Sequence, residues 1–353
     1  MIQSKEPKIH SFLKAVLKAV LLYVAACLLF VPTSNGATKT LQIYFIDVEG
    51  GQATLLVAPS GQSLLVDTGW PENNDRDADR IVEAMKSASL KQIDYVLITH
   101  YHTDHVGGVP QLLKKVKVSA FVDHGPNLEN DELAPEGYDA YLKSLGSTKR
   151  ITAKPGDSIP VEGIKVEVLA AAGAHITQPA AGAGQRNPYC ASEPKWPADH
   201  TENAASLGIL VTFGDFRFVD LGDLTKDKEL DLVCPNNLIG TADLFLVSHH
   251  GMGLSNSKSL VHALHPRAAI MENGAQKGND PKAWQTVHDS PGLQDLWQLH
   301  YSSASGADHN VLKDAIANLD GDADGHYLKV TAQSDGTFSV VNSRNKYERT
   351  YKQ

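Results

Sequence analysis

The chain has 353 residues, 42% of them hydrophobic and 21% charged, a globular balance that excludes extensive disorder. Its formal net charge is −9 and Lys and Arg form no local cluster, which argues against nonspecific adhesion to nucleic acid or anionic lipid. No repeat of solenoid or propeller length is visible.

Lys5, Lys8, Lys14 and Lys18 precede an unbroken apolar run, residues 19–31, which Pro32 and the small, polar stretch 34–37 follow. So short a run suits a signal-peptide core better than a bilayer span. Residues 1–37 are therefore expected to direct export, to the periplasm or the medium, with cleavage near Gly36 or Ala37; retention as a membrane anchor is the alternative. Residues 38–353 then form the mature domain. They carry 28 basic and 40 acidic residues, a net charge of −12, and no stable membrane association is expected of them. Only Cys190 and Cys234 remain after cleavage, and in an oxidising compartment they are expected to pair, two free buried thiols being the alternative.

Along the mature chain, residues 41–48, 53–58 and 63–67 read as three short strands between Gly-Gly and Ser-Gly turns. Apolar spacing at Ile81, Val82, Ala84, Met85 and Leu90 predicts a helix over 77–90. A strand over 93–99, a helix over 106–116 with Pro110 near its start, and strands over 120–123 and 164–170 follow. Residues 171–204, rich in Ala, Gly and Pro, read as a long irregular segment, of the kind that is functional or mobile. A hairpin over 206–213 and 216–220 turns at Gly214-Asp215. Strands over 244–248 and 268–271 alternate with a helix over 257–264, and a last hairpin pairs 327–332 with 337–341. The pattern predicts one two-sheet α/β domain with helices on its outer faces.

The chemistry concentrates where strand 93–99 empties into 100-HYHTDH-105. Residues two apart on an extended segment point the same way, so His100 and His102 can grip one cation, with Asp104 and His105 turned toward a second. Two later strands also end in metal-type ligands: 218-FVDLGD-223 delivers Asp223, placed to bridge, and 246-LVSHHG-251 delivers His249 and His250.

Five stretches, in order and spacing, resemble the metallo-β-lactamase-fold superfamily: 45-FIDVEGGQATLLV-57, 63-SLLVDTG-69, 100-HYHTDH-105, 203-NAASLGILVTFGDFRFVDLGDL-224 and 247-VSHHG-251. Within it the chain is most similar to the hydrolase domain of DNA-uptake competence channel proteins and to phosphorylcholine esterase. The resemblance implies a four-layer αββα sandwich and a dinuclear site. His100 and His102 would hold the first metal, Asp104 and His105 the second, Asp223 would bridge the two, and His250 would be the last ligand. Asp67 would support the metal loop from behind, and His249 would stand beside the ligands or exchange roles with His250. Where many members carry a third histidine on the first metal, this chain has Asn203, so water or His200 would complete that site. The subgroup's Asp-Val-Gly-Gln-Gly-Asp run is also altered here, to 47-DVEGGQ-52. Zinc suits such ligands best, with manganese and iron also compatible.

Weaker signals are open between function and plain structure. His124, Lys277 and His300 are candidates for substrate contact, Lys277 reading more readily as a solvated loop lysine. The stretch 320-DGDADG-325 opens like a calcium loop, with Asp320, Asp322 and Asp324 alternating, but Thr331 stands where the closing acid belongs. The functional expectation is an exported dinuclear metallohydrolase acting on a phosphodiester, with a metal-bridging hydroxide as nucleophile and Asp104 orienting it. A small or lipid-derived ester suits the acidic chain better than nucleic acid. A lactonase or β-lactamase, and a metal-binding protein without turnover, are the alternatives.

Overall fold

Several strands are apolar on both faces rather than alternating: Thr54–Val57, Ser63–Val66, Leu244–Leu246 and Ala268–Met271 are buried throughout. Such strands require cover on each side, as in sheets flanked by helices or by another sheet. The computed structural model, which describes residues 39–71, 73–129, 135–319 and 324–353, supplies both covers. The leader read over 1–37 and most of the 320–325 loop lie outside the described residues.

The first sheet runs Glu348–Tyr351, Phe338–Asn342, Leu328–Ala332, Leu41–Phe45, Thr54–Val57, Ser63–Val66, Ile93–Leu97, Val118–Asp123, Lys149–Thr152 from edge to edge. The last four strands are parallel. In the second sheet, Phe216–Asp220, Leu244–Leu246, Ala268–Met271, Asp295–His300 and Ile316–Asn318 are parallel neighbours, and Gly208–Phe213 and Lys165–Ala171 extend it antiparallel. Between the sheets lies one apolar layer, in which the rings of Phe45 and Phe218 meet edge to face at 5.8 Å. On the outer side of the first sheet pack Ile81 and Met85 of helix Arg76–Ser87, Leu112 of Val109–Lys115 and Tyr141 of Pro135–Leu145. Outside the second lie Leu232 of Lys226–Val233, Leu260 of Lys258–Leu264 and Trp284 of Pro281–His288. The order is helix, sheet, sheet, helix. Residues Thr40–Gln353 make one unit, and among the described residues no helix is long and apolar enough to cross a membrane.

Strand ends fall short of the sequence reading wherever function begins. The strand expected over 93–99 stops at Leu97, because Thr99 gives its N–H to Asp67 rather than to a neighbouring strand. The helix expected over 106–116 is two, Thr103–Val106 and Val109–Lys115. Gly107 and Gly108 separate them: a Cβ on Gly108 would lie 2.1 Å from the Thr68 carbonyl oxygen, so only glycine lets the loop after Val66 approach so closely. Helix Lys226–Val233 was not read from the sequence, since five of its eight residues are charged and its apolar periodicity is weak.

The irregular segment 171–204 is fastened rather than loose. Cys190 and Cys234 form a disulfide across 44 residues, which constrains the unfolded chain by about 4 kcal/mol. Asn187 donates to the carbonyls of Val233 and Ser259 at 3.0 Å, and Arg186 bridges Asn236. Glu229 ties the same helix to the next segment by accepting the N–H groups of Asn256 and Ser257 at 2.6 Å. Burial outweighs these donors and pushes its pKa up to about 7. Unfolded, Glu229 releases its proton near pH 4.5, so between there and 7 the folded state binds more protons and loses stability as pH rises, by about 3 kcal/mol over the window. Thermal melts of Glu229→Gln should therefore fall less between pH 5 and pH 7.5 than those of the parent chain; equal slopes would reject this assignment.

Candidate metal centre

Four strand ends, those of Ser63–Val66, Ile93–Leu97, Phe216–Asp220 and Leu244–Leu246, bring their following residues together, at the usual address for ligands in parallel α/β sheets. Asp67, past Ser63–Val66, is fully buried in a left-handed conformation with φ 59°. It accepts the Thr99 N–H at 2.8 Å and the Thr99 hydroxyl at 2.6 Å, and lies 2.7 Å from His105 Nδ1. That contact turns His105 Nε2 inward, to 3.3 Å from Asp104 Oδ2, 3.3 Å from Asp223 Oδ2 and 3.2 Å from His250 Nε2. His250 Nε2 lies 3.1 Å from Asp104 Oδ2. Asp104, His105, Asp223 and His250 thus offer four buried ligand atoms within 4.8 Å of one another.

His100 and His102 form the other half. Their Nε2 and Nδ1 atoms face each other at 3.0 Å, and His100 Nε2 is 3.9 Å from Asp223 Oδ2. Asp223 stands between the halves, with its Oδ1 buried and lacking a hydrogen-bond donor. His249 and His250 are consecutive left-handed residues, φ 54° and 53°, a strained backbone that aims both imidazoles at Asp223, at 3.3 and 3.5 Å. Asn256 holds this turn by donating to the Ser248 carbonyl at 2.8 Å.

Charge makes the arrangement a cation site. Burial, then His105 and His102, hold His100 well below its usual pKa, and burial pushes His249 down to about 4, leaving both as neutral imidazoles. Burial opposes ionisation of Asp104 and Asp223, yet neighbouring histidines hold both carboxyls well below their usual range. Burial likewise opposes charge on His105, but Asp223, Asp104 and Asp67 outweigh it and raise its pKa well above normal. Protons and metal ions compete for such a site, because ligating imidazoles must be neutral. The residues fit a pair of divalent cations.

A model of the metallo-β-lactamase superfamily matches residues 47–185, which include Asp67 and the whole run from His100 to His105. That stretch resembles a metallo-β-lactamase superfamily domain. The chain's two-sheet, four-layer build is the metallo-β-lactamase fold, and Asp223 and His250 lie beyond the matched stretch. The chain is 25% identical over 272 residues to ComE operon protein 3 of Bacillus subtilis (strain 168), covering 72% of this chain and 30% of that protein. To the Beta-lactamase-like protein 2 homolog of Caenorhabditis elegans it is 29% identical over 116 residues, 30% of this chain and 37% of the relative. It therefore spans well under half the length of either. The metallo-β-lactamase fold protein YhfI of Bacillus subtilis superposes with a TM-score of 0.44 at 12% identity, over 74% of this chain and 96% of that one.

The remaining sequence candidates separate. Lys277 does not stand as a solvated loop residue: its ammonium donates to Asp104 Oδ2 and lies 4.8 Å from the centre of the Trp70 ring. His124 is not a pocket wall. It is buried behind Tyr101, with Nε2 3.0 Å from Glu202. His300 is also buried, 2.5 Å from Asp47, which Arg80 pairs at 2.7 Å, so it braces the 47–52 loop rather than meeting a substrate. His200 is exposed and lines surface clefts that contain none of the ligand residues, so the structure does not bring it to His100. Asn203 Oδ1 is buried without a hydrogen-bond partner.

Two glutamates escaped the sequence reading. Glu129 Oε2 lies 3.2 Å from His102 Nε2, fixing the ring so that Nδ1 faces His100. Its other oxygen accepts the Glu202 N–H at 2.8 Å, and Glu202 accepts the N–H groups of Tyr101 and Leu128. No motif spacing marks either residue. Carboxylates that orient ligating histidines typically contribute 10–100-fold to metal affinity. Glu129→Gln should weaken zinc binding by about that factor in a competition titration while leaving the far-ultraviolet spectrum unchanged; undiminished affinity would exclude this role.

Proposed function

We propose that residues 38–353 form an exported, metal-dependent hydrolase that cleaves a phosphodiester. The observation that carries this reading is the ammonium of Lys277 at Asp104, beside a buried cluster of four metal-type donors. A fixed cation there suits a substrate that is anionic at the reacting group. The superfamily match to residues 47–185 supports metal-dependent hydrolysis. Zinc fits the mixed histidine and carboxylate donors, and manganese or iron also fits. The Cys190–Cys234 disulfide supports export, since such bonds persist in oxidising compartments. A small or lipid-derived ester is the favoured substrate, given a mature net charge of −12.

Two divalent cations, once bound, would supply Lewis acidity and make a water molecule acidic enough to act near neutral pH. The protein's own groups do the positioning. Asp104, ionised and buried, accepts a hydrogen bond from the attacking water and directs it at the substrate. Lys277 balances the charge on Asp104 and donates to a phosphoryl oxygen as negative charge develops. Asp67 and Glu129 hold His105 and His102 in single orientations, so the donors need no rearrangement in the transition state. A carbonyl hydrolase, lactonase or β-lactamase, remains the second reading, because Lys277 would pair equally with a carboxylate beside a scissile amide or ester.

Purified residues 38–353 with zinc or manganese should hydrolyse bis-p-nitrophenyl phosphate, and Asp104→Ala should abolish the turnover. Lys277→Ala should lower kcat/KM by about 10–100-fold, the worth of one charged hydrogen bond. Turnover of a chromogenic β-lactam or lactone alone would replace the phosphodiester reading with the carbonyl one.

A further inference from the structure

Among the described residues, four large apolar side chains are notably exposed, and three of them surround one face: Leu254 at 60%, Leu128 at 47% and Trp196 at 38%. Scattered singly, such residues would signify nothing; gathered at a cleft, they mark a binding surface. Each sits close in sequence to the metal centre. Leu128 precedes Glu129, which touches His102. Leu254 lies four residues past His250, on the turn that follows the one carrying both histidines. Trp196 faces Lys226, three residues past Asp223, whose ammonium is 4.3 Å from the centre of the indole.

Trp196, Pro197, Ala198 and Leu254 line one cleft, of about 430 Å³, and Leu128 lines an adjoining one of about 370 Å³. Asp199, His200 and Thr201 are shared by both, so the two form a continuous trough. The trough is built in advance of any ligand. The Trp196 indole N–H donates to Glu193 at 3.1 Å, and Glu193 accepts the Ser259 N–H at 3.0 Å. Lys226 is bound to residues 253 and 254 through its ammonium, at 2.7 Å, and through its backbone N–H, at 3.1 Å. The Asp199 N–H donates to Asp227 at 3.0 Å, and the Cys190–Cys234 disulfide anchors the segment upstream. A rigid apolar wall of this kind gains affinity because little side-chain freedom is lost on binding.

We propose that the trough between Trp196 and Leu254 is the subsite for an apolar substituent of the substrate. This rests on the phosphodiester reading, and narrows it to an amphiphilic phosphodiester: phosphate at Asp104 and Lys277, and a hydrophobic group on Trp196 and Leu254. Flat aromatic and extended alkyl groups share this chemistry, and the test separates them. His200, which does not reach the metal centre, belongs to the floor of this trough.

The test uses three p-nitrophenyl phosphodiesters whose second ester is methyl, phenyl or octyl. Wild-type KM should fall at least about tenfold from methyl to the better of phenyl and octyl, the preference naming the group. In Leu254→Asp and in Trp196→Ala that ratio should collapse toward one. Binding is read separately on chelator-treated protein, as quenching of tryptophan fluorescence by the octyl ester. Quenching should be reduced in Trp196→Phe to the share that Trp70 beside Lys277 contributes, and should need at least about tenfold more ester in Leu254→Asp. Leu254 is exposed, so its replacement leaves the fold intact, as a thermal melt would confirm. Absence of turnover with binding retained would remove the phosphodiesterase and keep the subsite. A flat KM series in wild type, or octyl binding unchanged in both variants, would overturn the subsite itself.

Discussion

The structure depends on negative charge held where water cannot reach it. Asp104 and Asp223, both ionised, each come within 3.3 Å of the buried imidazole of His105, while Asp67 presses on its other nitrogen at 2.7 Å. Burying carboxylates costs several kcal/mol apiece unless a cation compensates them. Every local departure from regular structure serves that compensation. The first strand-helix junction breaks at Thr99 to cap Asp67, two glycines admit the neighbouring loop, and two successive left-handed histidines turn inward.

Much of this was legible in the sequence because it is local. His100, His102, Asp104 and His105 lie within six residues at the end of an apolar run, and strand geometry alone aims them together. Asp223 and His250 were readable for the same reason, each closing a strand of its own. Glu129 and Glu202 were not legible, and Lys277 was legible only as one of two open readings, since all three reach the centre from irregular segments whose course no periodicity reveals. His124 and His300 mislead in the opposite direction: a histidine after a strand looks like a ligand, but here each is consumed by a buried carboxylate, Glu202 and Asp47. The strands that were read lie within three residues of the observed ones, whereas Lys149–Thr152, Asp295–His300, Ile316–Asn318 and Glu348–Tyr351 went unread.

Residues 171–204 illustrate how an irregular segment can still be precise in position. It has little secondary structure, yet the disulfide, Asn187 and Glu193 bind it to the helices Lys226–Val233 and Lys258–Leu264. Composition reveals that such a stretch lacks periodicity. It does not reveal whether the stretch is tethered, because tethering depends on residues 40 to 70 positions away.

The donors come in two sets, one from each sheet. Asp67 and the histidines of the first loop ride on the first sheet, Asp223, His249 and His250 on the second. The gap between the sets is therefore governed by the layer between the sheets, where Phe45 meets Phe218. Close-packed interiors transmit a change of even one methylene. The ionic radius this centre prefers is thus written partly in its hydrophobic core, and a core substitution remote from every ligand can retune which metal it selects.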